Sequence, residues 1–233
     1  MKFDLHYFKT VDSTNRLAAH GRPGDVFVAA EQTAGRGRLD HKWHSRVGEN
    51  LLMSVVFDAT DISPAEVATF PLVVGLATVK AVDSLSQQNL STCRLKWPND
   101  VYIGSRKLCG ILCERHDDKI VVGIGLNVRQ REFPEELREK ATSLVLSEID
   151  VSVGQAMNSV LSSLSEISER WYRGGFAALY PEFAELDFLK GREVVVFQTD
   201  DDTVPIKGLC HGIASDGSLL VGGVRVYAGE VHW

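Results

Sequence analysis

The sequence predicts an α+β protein: a sheet backed by helices, followed by a small β-barrel. Three observations carry this prediction. Residues 25–30 and 51–57 are apolar runs rich in Val and Phe; residues 63–85 and 153–172 have helical periodicity; and from Gly191 the pattern changes to short alternating segments separated by Gly and Asp. A chain of 233 residues with 44% hydrophobic residues is large enough for one or two domains with a sizeable core.

In chain order, residues 2–8 partly alternate and read as a strand, and Asp12, Ser13 and Thr14 offer helix-capping oxygens before a short helix. Residues 25–30 and 51–57 follow as buried strands, with a Gly- and Arg-rich segment between them. Ser63 then caps a long helix that has Pro64 at its first position and Glu66 in its first turn. Residues 93–97, 107–115 and 120–128 read as strands, with turns at Gly104-Ser105 and His116-Asp117-Asp118-Lys119. Residues 134–140, 153–172 and 176–186 read as helices, the second with Val160, Leu161, Leu164, Ile167 and Trp171 at helical spacing. Strands at 194–196, 204–209, 219–221 and 224–227 build the barrel, giving expected domains 1–187 and 188–233.

A formal net charge of -6 argues against a broad nucleic-acid surface, which needs cations to displace counterions. The first residues carry Lys2, Asp4 and His6 and lack a signal peptide's apolar core, so a cytoplasmic location is expected. No apolar run reaches the roughly 20 residues of a membrane span, and 72–81 contains Lys80, so no membrane insertion is expected. Cys93, Cys109, Cys113 and Cys210 form no C-x-x-C pair, and His41 and His44 have no ligand set beside them. No metal site is expected.

Two segments carry chemistry. Glu31-Gln32-Thr33-Ala34-Gly35-Arg36-Gly37-Arg38 lies between predicted strands. Its glycines permit close backbone approach, and its guanidinium groups suit phosphate or carboxylate. Taken alone, it is equally a solvated surface turn. Lys96-Trp97-Pro98-Asn99-Asp100 ends one strand and Lys107 begins the next, so two lysines and an aspartate come near one edge, although a structural turn gives the same pattern. Gly110, inside an apolar strand, marks either a close approach of ligand or backbone, or a bulge.

Read together, these segments resemble the biotin protein ligases. Asp12-Ser13-Thr14-Asn15, Gln32 with Gly35-Arg36-Gly37-Arg38 and Trp43, Lys96 to Asp100, Lys107-Leu108-Cys109-Gly110-Ile111-Leu112, Gly123-Ile124-Gly125-Leu126-Asn127-Val128 and Gly229-Glu230-Val231 match the family's motifs in order and spacing. The resemblance implies a mixed sheet backed by helices, in the class II synthetase-like fold of biotin and lipoate ligases, followed by an SH3-like barrel. It also implies that ATP activates biotin to biotinyl-5'-adenylate, with Mg2+ carried on the ATP phosphates, before biotin passes to a lysine of a biotin carboxyl carrier protein or domain. Ser13 stands too near the start for a preceding helix-turn-helix, so a monofunctional ligase without DNA binding is expected. A homodimer is left open.

By the same resemblance, Arg36, Arg38 and Lys107 stabilise phosphate charge, Asp100 orients or deprotonates the acceptor amine, and Lys96 binds phosphate or pairs with Asp100. Ser13, Thr14, Asn15 and Gln32 hold biotin; Gly35 and Gly37 let the loop close; Gly110 leaves room for biotin; and Trp43 and Asn127 serve the adenine. The chain departs from the family at Leu39-Asp40-His41-Lys42, where further arginine and glycine are usual, leaving His41 or Lys42 to supply charge. The rival readings are a lipoate protein ligase, which shares the fold and acyl-adenylate chemistry, and a non-catalytic biotin-binding module.

Overall fold

A computed structural model describes residues 2–39, 41–86, 93–198 and 204–233. Its larger sheet is formed by β1 (Asp4–Val11), β2 (Asp25–Gln32), β3 (Asn50–Asp58), β4 (Cys93–Lys96), β5 (Asp100–Ile103), β6 (Arg106–His116) and β7 (Lys119–Asn127), in the order β1-β2-β3-β7-β6-β5-β4. The sheet is mixed, because β1 runs parallel to β2 while the other pairs are antiparallel. A short helix, α1 (Thr14–Ala18), makes the crossover between the two parallel strands. The second sheet consists of β8 (Glu193–Phe197), β9 (Ile206–Ile213), β10 (Leu219–Val221), β11 (Val224–Val226) and β12 (Glu230–His232), ordered β11-β10-β9-β8-β12. This is the helix-backed mixed sheet and small antiparallel unit that the sequence predicts.

The helices α2 (Pro64–Leu85) and α3 (Val153–Gly174) cover the sheet. Ser63 caps α2 by accepting from the Glu66 amide, and Ser152 and Gln155 cap α3 reciprocally. The face of α3 read from spacing is the buried one: Val160, Leu161, Leu164, Ile167 and Trp171 all join the core. Trp171 packs on Phe70 of α2 with ring centroids 4.6 Å apart, and its indole N–H donates to Thr69. By length and composition alone α2 is apolar enough to cross a membrane, which corrects the expectation that no stretch reaches that mark. Its apolar residues are buried against the sheet and α3, as in a core helix.

Local expectations fail where tertiary contacts decide. Residues 134–140 form no α-helix; a single 3-10 turn, Glu135–Leu137, has no buried residue to anchor anything longer. Residues 176–186 form two 3-10 turns, Phe176–Ala178 and Tyr180–Phe183, because Pro181 lacks the amide proton a continuous helix requires. Strand β5 was not anticipated. Its four residues are too few to show a period, and pairing with β4 and β6 holds them extended.

One apolar core runs through the sheet, the helices and the barrel. The segment joining the two units lies along β4: the Leu95 amide donates to the Leu186 carbonyl at 2.6 Å, and Phe188 donates back to Leu95 at 2.9 Å. This pairing covers a sheet edge that would otherwise expose unpaired amides. The Trp97 indole N–H donates to the Gly217 carbonyl at 3.0 Å, fastening the barrel beside the Lys96–Asp100 turn.

Candidate functional site

A cleft of about 530 Å³ opens over the glycine-bearing face of β6 and β7. Parallel pairing sets Val11 of β1 opposite Gln32 of β2, so the residues following each strand emerge at the same end of the sheet. There the Gln32 side-chain oxygen accepts from the Thr14 amide at 2.7 Å and from its hydroxyl at 3.1 Å. Ser13, Thr14 and Asn15 are all buried. Ser54 of β3 completes this end: its hydroxyl oxygen lies 2.7 Å from Thr14 Oγ1 and 2.6 Å from Asn15 Oδ1, and its single proton serves one of them at a time. A Cβ on Gly123 would fall 2.3 Å from Asn15 Oδ1, so the absent side chain is what lets Asn15 lie against the sheet.

The Gly-Arg loop folds back on itself. Gly37 N donates to His41 O at 2.7 Å, and Trp43 N donates to Gly35 O at 3.1 Å. A Cβ on Gly35 would sit 3.0 Å from the Trp43 carbonyl, and Leu39 adopts a left-handed φ of 51° at the bend. His41 and Lys42 are exposed, while Asp40 lies outside the described residues. The two loop arginines diverge. Arg36 pairs with Glu114 at 3.3 Å, whereas Arg38 donates to Asn99 Oδ1 at 3.3 Å and to the Gly229 carbonyl at 3.4 Å. The Trp43 indole lies across Gly125 and Gly110, where a Cβ would come within 2.5 and 2.9 Å of the ring. Its buried N–H has no partner among the described residues. The space over Gly110 is thus taken by Trp43 and the Lys107 side chain.

The cationic end is built by a β-bulge. Val101 lies opposite Cys109 but Tyr102 lies opposite Lys107, so Leu108 is an extra residue in β6. Leu108 and Cys109 both enter the core, and the slip puts Lys107 on the cleft face with Gly110. Lys107 Nζ lies 2.7 Å from Asp100 Oδ1, an ion pair whose angle falls outside a hydrogen bond. Lys96 stands nearby with its ammonium 4.4 Å over the Trp233 ring; burial holds its pKa below the ordinary lysine value, and Asp100 partly restores it. Burial likewise lowers the pKa of Arg38 against the pull of Asp100 and Glu230. Three cations therefore share the carboxylates Asp100 and Glu230, leaving an excess of positive charge suited to an anion. Between the two ends, the Asn127 amide donates to the Thr142 carbonyl at 2.9 Å while its buried Oδ1 has no partner among the described residues.

The cleft thus gathers Ser13, Thr14, Asn15, Gln32, Arg36, Gly37, Arg38, Trp43, Lys96, Asp100, Lys107, Gly110 and Asn127 in one place. Gly35 lies behind the loop, against Trp43. Sequence reasoning missed Ser54 and Glu114 as site residues. It noted Gly229-Glu230-Val231 without seeing that this segment walls the cleft. The available signal for the glycine floor was the alternation Gly123-x-Gly125, which bares one face of a strand.

The model of the biotin/lipoate A/B protein ligase family matches residues 7–130. The biotin--[acetyl-CoA-carboxylase] ligase of Mycobacterium tuberculosis is 38% identical over 217 residues, covering 89% of this chain and 78% of that protein. The bifunctional ligase/repressor BirA of Salmonella typhimurium is 31% identical, covering 91% of this chain and 67% of that protein. Among solved structures, the biotin protein ligase from Aquifex aeolicus in complex with biotin and ATP superposes with a TM-score of 0.85 at 30% identity, over 98% of this chain and 97% of that one.

Proposed function

This chain belongs to the biotin/lipoate A/B protein ligase family, and on that premise we propose that it is a biotin protein ligase that activates biotin with ATP and transfers it to a lysine of a carboxyl carrier domain. The observation that carries the reading is the cleft's polarity: a neutral hydrogen-bonding network around Thr14, Asn15, Gln32 and Ser54, and a cluster of cations around Asp100. The neutral network suits a ureido ring with its donors and acceptor. The dithiolane ring of lipoate offers no hydrogen-bonding group in return, so that network favours biotin.

In the first step, a carboxylate oxygen of biotin attacks the α-phosphorus of ATP and pyrophosphate leaves, with Arg38 and Lys107 stabilising the charge on the phosphate oxygens. Lys107 can do so because the bulge at Leu108 aims it into the cleft. In the second step, the acceptor amine attacks the acyl carbon, AMP departs, and the nitrogen loses its proton to Asp100, directly or through water. The unpartnered Asn127 Oδ1 suits an exocyclic amino group such as that of adenine. Trp43, whose indole N–H is unsatisfied where it now lies, moves with the loop onto the nucleotide. Among the described residues, the carboxylates lining the cleft are Asp100, Glu136 and Glu230, and these three form no three-ligand cluster. That arrangement suits Mg2+ arriving hydrated on the ATP phosphates.

The test combines the chain with ATP, Mg2+, biotin and a purified carrier domain. Pyrophosphate release that requires biotin, followed by labelling of the carrier, is the expected result. Biotin binding without pyrophosphate release would make the chain a binding module, and lipoate-dependent release would make it a lipoate ligase.

A further inference from the structure

Glu114 stands on β6 at the rim of the neutral end and takes no part in the chemistry above. Its Oε2 accepts from Asn15 Nδ2 at 2.7 Å, while its Oε1 lies 3.3 Å from Arg36 Nη1. The second Asn15 amide proton goes to the Leu112 carbonyl at 3.3 Å, and Asn15 Oδ1 lies 2.6 Å from the Ser54 hydroxyl. An asparagine amide has two ends of nearly equal shape and opposite chemistry, so its orientation follows from its partners. Turning this amide over would set Oδ1 against the Glu114 carboxylate and the Leu112 carbonyl, with no proton between the oxygens. It would also replace the acceptor facing Ser54 with a donor.

We infer that Glu114 is a positioning residue that fixes which end of the Asn15 amide meets biotin. The inference rests on the biotin reading of the cleft. With both amide protons held by Glu114 and Leu112, Asn15 presents an acceptor, Oδ1, beside Ser54 and Gly123. A ligand N–H is therefore favoured there over a ligand carbonyl. A charged acceptor makes the stronger hydrogen bond, so the carboxylate holds this choice more firmly than a neutral group could. The same carboxylate tethers Arg36, so the polar pocket and the loop share one anchor.

The test is calorimetric titration with biotin alone, each variant accompanied by a melting curve. Glu114→Ala frees the amide to turn and is expected to weaken biotin binding about tenfold, which is ~1.4 kcal/mol. Glu114→Gln keeps an oxygen that can accept from Asn15 and is expected to stay within about threefold of the parent. In an Asn15→Ala background, Glu114→Ala should cost nothing further, because the group it orients is gone. Parent-like affinity in Glu114→Ala overturns the inference. So does an equal further loss in the Asn15→Ala background, because Glu114 would then act on stability or on biotin independently of Asn15. If the parent chain itself fails to bind biotin, the biotin reading falls and takes this inference with it, an outcome visible before any substitution is made.

Discussion

Arg38 donates to the backbone carbonyl of Gly229 across 3.4 Å, joining a loop of the ligase domain to the last strand region of the barrel 191 positions later in the chain. With the contact to Asn99, the guanidinium touches the loop, the Lys96–Asp100 turn and the barrel at once. Arg38→Gly removes all of these contacts and adds backbone freedom to the loop. Release of the adenylate is expected to accelerate about tenfold or more, the equivalent of one charge-assisted hydrogen bond, with synthesis less affected because the biotin contacts proposed for Asn15 and Gln32 are untouched. Mixing the variant with ATP, biotin and a bystander protein checks this. Unlabelled bystanders, with adenylate retained as long as in the parent, would remove Arg38 from this role.

Lys107→Ala takes away the ammonium facing Asp100 and leaves β6 otherwise intact. The rate of biotin-dependent pyrophosphate release should fall about 100-fold or more, the scale expected for loss of a group that stabilises transition-state charge. The melting temperature should fall only modestly, because Lys96 and Arg38 still face Asp100 once the ammonium is gone. An unchanged rate would exclude Lys107 from the chemistry.

Gly123→Ala puts a methyl group 2.3 Å from Asn15 Oδ1, so the Asn15 side chain has to leave the contacts it makes with Ser54, Leu112 and Glu114. Displacing Asn15 should weaken biotin binding and cost about 1 to 3 kcal/mol of stability by overpacking. Titration and denaturant unfolding report the two effects separately. Parent-like biotin affinity would show that the position of Asn15 is not critical.

Burial lowers the pKa of Lys96 in the folded protein below its ordinary value of 10.5. In the pH window between the lowered value and 10.5, the unfolded chain binds more protons than the folded one, so this group's contribution to stability rises with pH there. Lys96→Met should abolish that local rise, as read from melting temperature against pH just below 10.5. Over the same window the native cleft loses one cation, so the KM for ATP should climb at a lower pH than in Lys96→Arg. Identical alkaline profiles for the parent and the arginine variant would count against Lys96 contacting phosphate.

Through its resemblance to a family's motifs the sequence pointed to many of the residues that line the cleft; by itself it determined the order of the main strands and helices, the buried face of α3 and the loop bearing Arg36 and Arg38. These features are legible because capping, periodicity and glycine content act over a few neighbouring positions. The tertiary structure decided which way the side chains point. Along an ideal strand, Lys107 would face away from Gly110, and only the slip of β6 against β5 at Leu108 brings them to one side. Arg36 and Arg38 are two positions apart, yet one meets Glu114 and the other Gly229, partners set by long-range packing. Glu114 gave no local signal, because its role exists only once the fold brings the β6 side chain to the Asn15 amide, 99 positions away in the chain.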